Sequence, residues 1–451
     1  MAKMRSHKEL FRLSRNPIAN RYFSAQEEQV SDYTRAAPPA HESENFLTRE
    51  KIIWALKNIP HLGNSRHKYS AYSDSTDKGV YHLKNHRGFD EVRIALLSDW
   101  ATNTRESDDI AKAADSCIPD YTIHLGDTYY TGTEKEVEEN FGPQGWWRNG
   151  RVGAFALPGN HEMYSNGKAY FQNLLPKMGI DDGVERIPQK AAFFCLESDY
   201  WRVIGLDTGY YSLKGLFGLT PNTELQLHND QIDWLKNVVH LEKDMRGIIL
   251  LSHHQYCSAF TKRDMKDKVF SDDEFQNPAV QLAKLIGPER PVLWFWGHEH
   301  RMSVYGCYQG KDGIKAFGRC IGHSGMPTEI LSDANMFRTD AYRKQAGESR
   351  KLVLFDNRYR ETIDNTPLGH NGYVMLRLNK ENLIAEYYDE KDKILSEKWS
   401  IDIITGKLNG ISITDFTMGT YPSTPEDNKT KLFHFTQNIK DAISSPVNVP
   451  I

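Results

Sequence analysis

Five short polar clusters in this sequence carry the residue types that bind metal ions. They are Ser98-Asp99-Trp100, Gly126-Asp127-Thr128-Tyr129-Tyr130, Gly159-Asn160-His161-Glu162, Ser252-His253-His254 and Gly297-His298-Glu299-His300. Carboxylate and amide oxygens mixed with imidazoles suit manganese, iron or zinc, whereas calcium and magnesium prefer oxygen ligands alone. One ion needs about four ligands, and the clusters offer seven or more. A pair of ions about 3.5–4 Å apart that shares one carboxylate would use them all.

Each cluster also has an ordinary structural explanation when it is taken alone. Asp99 could cap a strand end, and Asn160 could shape a turn because asparagine tolerates a left-handed backbone. The occurrence of five such clusters in one chain favours a common site. Gly297 predicts a turn that brings His298 and His300 to one side, and the run H-E-H excludes the helical H-E-x-x-H zinc site.

Every cluster follows a short apolar run of strand length. The five predicted strands cover residues 93–98, 121–125, 153–157, 247–251 and 291–296. Ligands of open α/β sheets bind outside the carboxyl ends of the strands. If these strands are neighbours, the five loops converge on one crevice.

The rest of the chain predicts an α/β protein with partly antiparallel sheets. The further predicted elements are a helix capped by Ser107, a hairpin at 191–196 and 201–206, a helix at 229–241, and strands at 351–355, 372–378, 383–388 and 394–399. We expect the late strands to complete a second sheet. Composition divides the chain into an N-terminal extension (1–90) with a helix at 47–59, a main domain (91–402) and a tail (403–451).

The order of the motifs resembles that of the calcineurin-like metallophosphoesterases. The patterns are D-x-x, G-D-x-x-Y, G-N-H-E, x-x-x-H and G-H-x-H, and they span residues 92 to 300. Tyr130, as the tyrosine of G-D-x-x-Y, is similar to that of the purple acid phosphatase branch. The resemblance implies a two-sheet α/β sandwich with flanking helices.

The resemblance also implies a ligand set and a division of roles. Asp99, Asp127, Tyr130 and His300 would hold one ion, and Asp127, Asn160, His253 and His298 the other, with Asp127 bridging. The two ions would be iron with iron, manganese or zinc. His161 would bind the phosphate and protonate the leaving oxygen, with Glu162 or another carboxylate orienting its ring.

Two positions near the motifs need separate treatment. Ala101 stands where the family has glycine or a metal-binding histidine, and it cannot coordinate, which favours a tyrosine ligand. Either His253 or His254 could be the ligand of its motif. Family spacing favours His253, and His254 then lines the pocket as a substrate contact together with Asn160 and His161.

The predicted function is hydrolysis of phosphomonoesters by attack of a metal-bound hydroxide. One alternative is a phosphodiesterase acting on a cyclic nucleotide or another diester, since the motifs build the metal site and not the substrate pocket. Another is a catalytically degenerate binding module. Candidate specificity segments are Trp146-Trp147-Arg148 and residues 210–220 and 256–268.

Composition limits the partners and the location. The net charge is -4 over 451 residues, so no nucleic-acid partner is evident and a phosphoester substrate is the predicted partner. The sequence shows neither a signal-peptide pattern nor an apolar run of membrane-spanning length. The five cysteines form no C-x-x-C pair. We therefore expect a cytoplasmic protein without disulfides.

Overall fold

The computed structural model describes residues 66–414 and 433–434, with gaps inside the first range. The gaps are residues 73–75, 89, 182, 184, 215–219, 222–224, 259–276, 329, 331–351 and 364–365. The helix predicted at 47–59 and most of the predicted tail therefore lie outside the described residues.

A first mixed sheet of nine strands contains the predicted hairpin. In spatial order its strands are β1 (Val80–His82), β7 (Phe194–Glu197), β8 (Trp201–Gly205), β11 (Gly247–Ser252), β12 (Val292–Trp296), β14 (Lys315–Ile321), β13 (Met302–Gln309), β15 (Leu352–Phe355) and β22 (Phe433–His434). Strands β8, β11, β12 and β14 run parallel to one another. The antiparallel pairing of β7 with β8 confirms the hairpin.

A second sheet of nine strands carries the first three motif strands. Its order is β21 (Lys407–Thr414), β20 (Lys393–Asp402), β19 (Asn382–Asp389), β18 (Gly372–Asn379), β2 (Glu91–Leu97), β3 (Tyr121–His124), β4 (Gly153–Ala156), β5 (Gly179–Asp181) and β6 (Arg186–Pro188). Strands β2, β3 and β4 are parallel, and the other neighbours are antiparallel.

Short helices and two small strand pairs complete the described fold. The helices are α1 (Arg105–Ser116), α2 (Glu134–Phe141), α3 (Asn160–Met163), α4 (Asn229–Asn237) and α5 (Asn277–Ile286), with a π-helical turn at Tyr170–Leu174 and 3-10 turns at Leu175–Lys177 and Leu241–Lys243. The pairs are β9 (Leu213–Lys214) with β10 (Thr220–Pro221), and β16 (Tyr359–Ile363) with β17 (Thr366–Gly369). No helix of the described residues is long and apolar enough to cross a membrane.

The cap of α1 differs from its prediction. Thr104, not Ser107, is the N-cap, and its side chain accepts the backbone N–H of Ser107. Ser107 is the third helical residue, and its hydroxyl oxygen accepts the backbone N–H of Thr104. The prediction was wrong because this helix has a hydroxyl residue at both positions of its capping box, and the sequence does not say which one lies outside the helix.

Alternating side chains divide the core into three layers. Ile94 and Leu96 of β2 pack between the two sheets, whereas Ala95 and Leu97 pack beneath α1 and α2. Strands β11 and β12 alternate in the same way, with their other face covered by α4 and α5. The fold is therefore a two-sheet α/β sandwich with helices on both outer faces, which confirms the predicted fold class.

The sandwich extends past both predicted domain limits. Tyr69 and Tyr72 belong to the core under α4, and the Tyr72 hydroxyl donates to the carbonyl of Phe193. Strand β1 pairs with β7, and β21 pairs with β20. The limits at 90 and 402 were drawn where the composition changes. Polar segments beyond such limits can still pair as strands, and composition alone does not reveal this.

A buried ion pair joins the two sheets. Arg319 of β14 donates from Nε to Glu397 Oε1 of β20 at 2.8 Å and from Nη2 to Oε2 at 2.6 Å. The hydroxyl of Tyr387 and the indole N–H of Trp399 also donate to the Glu397 carboxylate. Arg319 and Glu397 are 0% and 1% exposed, so each charge depends on the other for its solvation.

Candidate metal centre

The five clusters meet at the carboxyl ends of five parallel strands. In the loops that follow the strands of the second sheet, the Asp99 N–H donates to the carbonyl of Gly126 at 3.1 Å. In those that follow the strands of the first sheet, the Gly297 N–H donates to the carbonyl of His253 at 3.0 Å. Between the sheets the His298 N–H donates to Asp99 Oδ2 at 3.0 Å. The convergence follows from the adjacency of β2, β3 and β4 in one sheet and of β11 and β12 in the other.

Three of the converging residues have an unusual backbone conformation. Asp99, Asp127 and His298 have φ angles of 55°, 73° and 67°. This left-handed region is rarely adopted by residues other than glycine, and such strain is typical of functional sites. Each of the three lies two or three residues after the end of its strand, where the backbone turns its side chain into the crevice.

Two glycines allow the loops to approach each other closely. A Cβ atom at Gly159 would lie 2.0 Å from Asp127 Oδ1, and one at Gly297 would lie 1.8 Å from the Ser98 hydroxyl and 2.6 Å from Asp99 Oδ2. No side chain tolerates such distances, so both positions require glycine.

A tyrosine hydroxyl lies at the centre of one group of side chains. The Tyr129 hydroxyl is 2.7 Å from Asp99 Oδ1, 3.1 Å from Asp127 Oδ2 and 2.9 Å from His300 Nε2. His300 Nε2 is itself 3.4 Å from Asp99 Oδ1. Two carboxylates, one phenol and one imidazole therefore share a space a few ångströms across.

The phenol that the structure places in this group is Tyr129, whereas the predicted ligand is its neighbour Tyr130. Tyr130 packs with Tyr129 and Met326, and its carbonyl accepts a hydrogen bond from His161 Nδ1. The Tyr129 N–H donates to the carbonyl of Ala101 at 3.0 Å, which holds residue 129 beside the first loop. Residues 129–131 form a turn, and within it the Tyr129 hydroxyl is the one that contacts the carboxylates of Asp99 and Asp127.

A second group of side chains lies on the other side of Asp127. His253 Nε2 is 3.2 Å from Asp127 Oδ2, and His253 Nδ1 donates to the carbonyl of Leu125 at 3.1 Å. Ligand atoms of His253, His254 and His298 lie within 4.8 Å of one another, and all three side chains are buried. The buried Oδ1 atom of Asn160 has no hydrogen-bond partner among the described residues. A buried acceptor usually has a partner, and a cation would supply one.

The electrostatics of the cluster favour ionised carboxylates. Burial opposes ionisation of Asp127, but His253 and His161 hold its pKa well below the usual value. For Asp99 burial has the same effect, and His300 and His253 lower the pKa. Burial lowers the pKa of His253, but the Asp127 carboxylate raises it, and the resulting pKa is about 9. The carboxylates are therefore anionic at neutral pH, as metal binding requires.

His161 has a defined orientation beside Asp127. Its ring Nδ1 donates to the carbonyl of Tyr130 at 2.7 Å, its backbone N–H donates to Asp127 Oδ1 at 3.0 Å, and its Nε2 lies 3.8 Å from Asp127 Oδ2. A carbonyl oxygen can only accept, so Nδ1 carries a proton in the neutral ring. Nε2 is then the atom that gains or loses a proton.

Comparison with known proteins identifies the region around these motifs. Residues 92–302 match the family model described as calcineurin-like phosphoesterase. This part of the chain is a calcineurin-like phosphoesterase domain. The search of curated proteins found no match.

The fold was also compared with solved structures. Purple acid phosphatase PPD1 from yellow lupin (Lupinus luteus) is 13% identical with a TM-score of 0.39, and the match covers 67% of this chain and 52% of that one. PhoD is 12% identical over 73% of each chain, with a TM-score of 0.44. GAP50, the anchor in the inner membrane complex of Plasmodium, is 14% identical over 70% of this chain and 92% of that one, with a TM-score of 0.41. This chain thus spans about half the length of the lupin protein.

Glu162 has a different role in the phosphoesterase domain from the one predicted. Its Oε2 accepts the backbone N–H of Asp127 at 3.2 Å and of Gly159 at 2.7 Å. The carboxylate therefore ties two motif loops together. The hydrogen-bond partner of the His161 ring Nδ1 is the carbonyl of Tyr130 and not Glu162.

Sequence reasoning missed the loop that follows β8. The Thr208 hydroxyl oxygen lies 3.1 Å from both the backbone nitrogen and Nδ1 of His254. Next to it, Asp207 Oδ1 accepts the N–H groups of Gly209 and Tyr210, and burial raises the pKa of Asp207 to about 7. The only sequence signal was that Asp207 and Thr208 also follow a buried strand.

The predicted specificity segments are in part structural. Trp147 packs against Trp100, and the two enclose the buried His124, whose pKa burial lowers to about 3. Tyr256 is fully buried, stacks on Trp294 and donates to a backbone carbonyl. Residues 259–268 lie outside the described part of the chain.

Proposed function

We propose that the chain is a dinuclear metal-dependent phosphoesterase that hydrolyses phosphomonoesters and resembles the purple acid phosphatases. One observation carries the proposal. Asp127 Oδ2 lies 3.1 Å from the Tyr129 hydroxyl and 3.2 Å from His253 Nε2. A single carboxylate oxygen therefore faces both groups of potential ligands, as a bridge between two ions requires.

The proposed ligands differ from the predicted set at one position. Asp99, Asp127, Tyr129 and His300 would hold one ion, with Tyr129 in place of Tyr130, and Asp127, Asn160, His253 and His298 would hold the other. The mixed oxygen and nitrogen donors suit iron with iron, manganese or zinc. When bound, two such cations would neutralise the phosphate oxygens and lower the pKa of the attacking water.

His161 is the proposed general acid of the reaction. Its Nδ1 proton is engaged by the carbonyl of Tyr130 at 2.7 Å, so the mobile proton is carried on Nε2. That atom faces the bridging carboxylate at 3.8 Å. From this position His161 would donate to the leaving alkoxide oxygen.

The test combines metal analysis with paired substrates on the full chain. We expect two ions per chain and hydrolysis of p-nitrophenyl phosphate in preference to bis(p-nitrophenyl) phosphate. Asp127→Asn should lose both metal and activity because the shared ligand is removed. The control Asp233→Asn changes an exposed carboxylate and should behave as the wild type.

Each other outcome selects a different function. Preference for the diester would replace the monoesterase with a phosphodiesterase on the same centre. A folded chain that binds no metal after reconstitution would support a binding module instead. The proposal places the enzyme in the cytoplasm, since a reducing compartment suits a chain whose five cysteines all carry free thiols.

A further inference from the structure

Three imidazoles face one another at the second proposed metal position. The ring centroids of His253 and His254 are 4.9 Å apart, those of His254 and His298 are 4.8 Å apart, and those of His253 and His298 are 5.2 Å apart. Their ligand atoms all lie within 4.8 Å of one another. Two nitrogens on one zinc ion are at most about 4.2 Å apart. Small side-chain rotations would therefore bring all three onto a single ion.

Two of the rings are held in the same manner from outside the trio. His253 Nδ1 contacts the carbonyl of Leu125 at 3.1 Å, and His254 Nδ1 contacts the Thr208 hydroxyl at 3.1 Å. The Thr208 oxygen also accepts the backbone N–H of His254. Metal-binding histidines typically donate their second ring N–H to such a partner, which directs the other nitrogen at the ion.

We propose that His254 is a third imidazole ligand of the second metal, beside His253 and His298, and not a contact to the substrate. This inference rests on the proposed function, because it requires that a cation binds. The second ion would then have three imidazoles, the Asp127 carboxylate and the Asn160 amide, against one imidazole at the first ion. A nitrogen-rich position favours zinc or cobalt over manganese and magnesium.

The wild-type protein can be tested directly after cobalt(II) substitution. Each coordinated neutral imidazole keeps one N–H, whose proton NMR signal is shifted by the cobalt and disappears in heavy water. We expect four such signals, from His253, His254, His298 and His300. Three signals from a chain that binds two cobalt ions would overturn the inference and leave the proposed function intact. A chain that binds no cobalt would overturn both.

Variants supply an independent measurement of cobalt affinity. His254→Gln should remove one signal and weaken binding of one cobalt ion more than Thr208→Val, for which we expect a loss of about 10- to 100-fold because it removes only the outer partner. His82→Gln changes an exposed histidine and should keep all four signals. If His254→Gln keeps its cobalt affinity and raises only KM for p-nitrophenyl phosphate, His254 is a substrate contact and the inference is wrong. If His254→Gln fails to fold, the number of signals from the wild-type protein decides whether His254 is a ligand.

Discussion

The choice between two adjacent tyrosines gives the sharpest prediction for the metal centre. Tyr129→Phe removes a hydroxyl that lies 2.7 Å from Asp99 Oδ1 and 3.1 Å from Asp127 Oδ2. Tyr130→Phe makes the same chemical change one residue further along the chain, at a ring that packs with Met326. The second variant is therefore a matched control for the first.

The expected magnitude follows from the hydrogen bonds of the Tyr129 hydroxyl. One hydroxyl has one proton and can donate to only one of the two carboxylates at a time. A hydrogen bond to a charged group contributes about 1.5–3 kcal/mol. The free energy of unfolding of the metal-free Tyr129→Phe protein should fall by about that amount. The loss is smaller if neighbouring hydrogen-bond donors to Asp99 replace part of the missing interaction.

The loaded protein should show a larger and more specific effect. A tyrosinate bound to iron(III) produces a visible charge-transfer band. We expect this band in the iron-loaded wild type and in Tyr130→Phe, and its absence in Tyr129→Phe, with metal content measured on the same samples. Urea unfolding of the metal-free proteins tests the hydrogen bond whichever metal the protein prefers.

The opposite pattern would refute this reasoning. If Tyr130→Phe loses the band and Tyr129→Phe retains it, Tyr130 is the ligand. The D-x-x-Y spacing would then predict the ligand correctly, and the contacts of the Tyr129 hydroxyl would not. An unfolding free energy for Tyr129→Phe within about 0.5 kcal/mol of the wild type, the range of ordinary surface substitutions, would show that the hydroxyl contributes little to the cluster.

Three further predictions concern the acid, the inter-sheet ion pair and a buried carboxyl group. His161→Gln should keep both metals and lower kcat for an alkyl phosphate such as glycerol phosphate, whose leaving alkoxide needs a proton, by about 10²- to 10⁴-fold; loss of metal would make His161 a ligand instead. Glu397→Gln should lower the free energy of unfolding by about 3–5 kcal/mol, because it leaves the Arg319 charge buried without its counter-ion. A change below about 1 kcal/mol in urea unfolding would show that water reaches this pair. Burial raises the pKa of Asp207 to about 7, above its value in the unfolded chain, so the stability it contributes is fully present below about pH 4 and is lost as the pH rises to 7. Relative to Asp207→Asn, the wild type should lose up to about 1.4 kcal/mol per pH unit in this window, and a pH-independent difference would contradict the assignment.

The strand-end positions of the motifs were predictable from local patterns. Each motif strand reads as a short apolar run, and the polar cluster follows it within a few residues. A buried strand needs apolar side chains on both faces, and a loop at its end is free to carry polar ones. The candidate residues could therefore be named before the sheet order was known.

Contacts between neighbouring loops were less predictable. Glu162 was expected to orient His161, but its carboxylate accepts backbone N–H groups, and the carbonyl of Tyr130 accepts the hydrogen bond of the His161 ring. Backbone groups are present at every residue, so no sequence pattern marks the one that a histidine will meet. The N-cap of α1 is Thr104 and not the predicted Ser107 for a related reason, because both residues carry a suitable hydroxyl.

The sequence by itself determined the fold class, the five strand-end clusters and the chemistry of their side chains, because residue type and local hydrophobic alternation suffice for these. Only the tertiary structure decided that Tyr129 reaches Asp99 and Asp127, and that His254 stands beside His253 and His298. Those distances join side chains on different strands of two sheets. They depend on strand order and on the direction in which each loop leaves its strand, and spacing along the chain encodes neither.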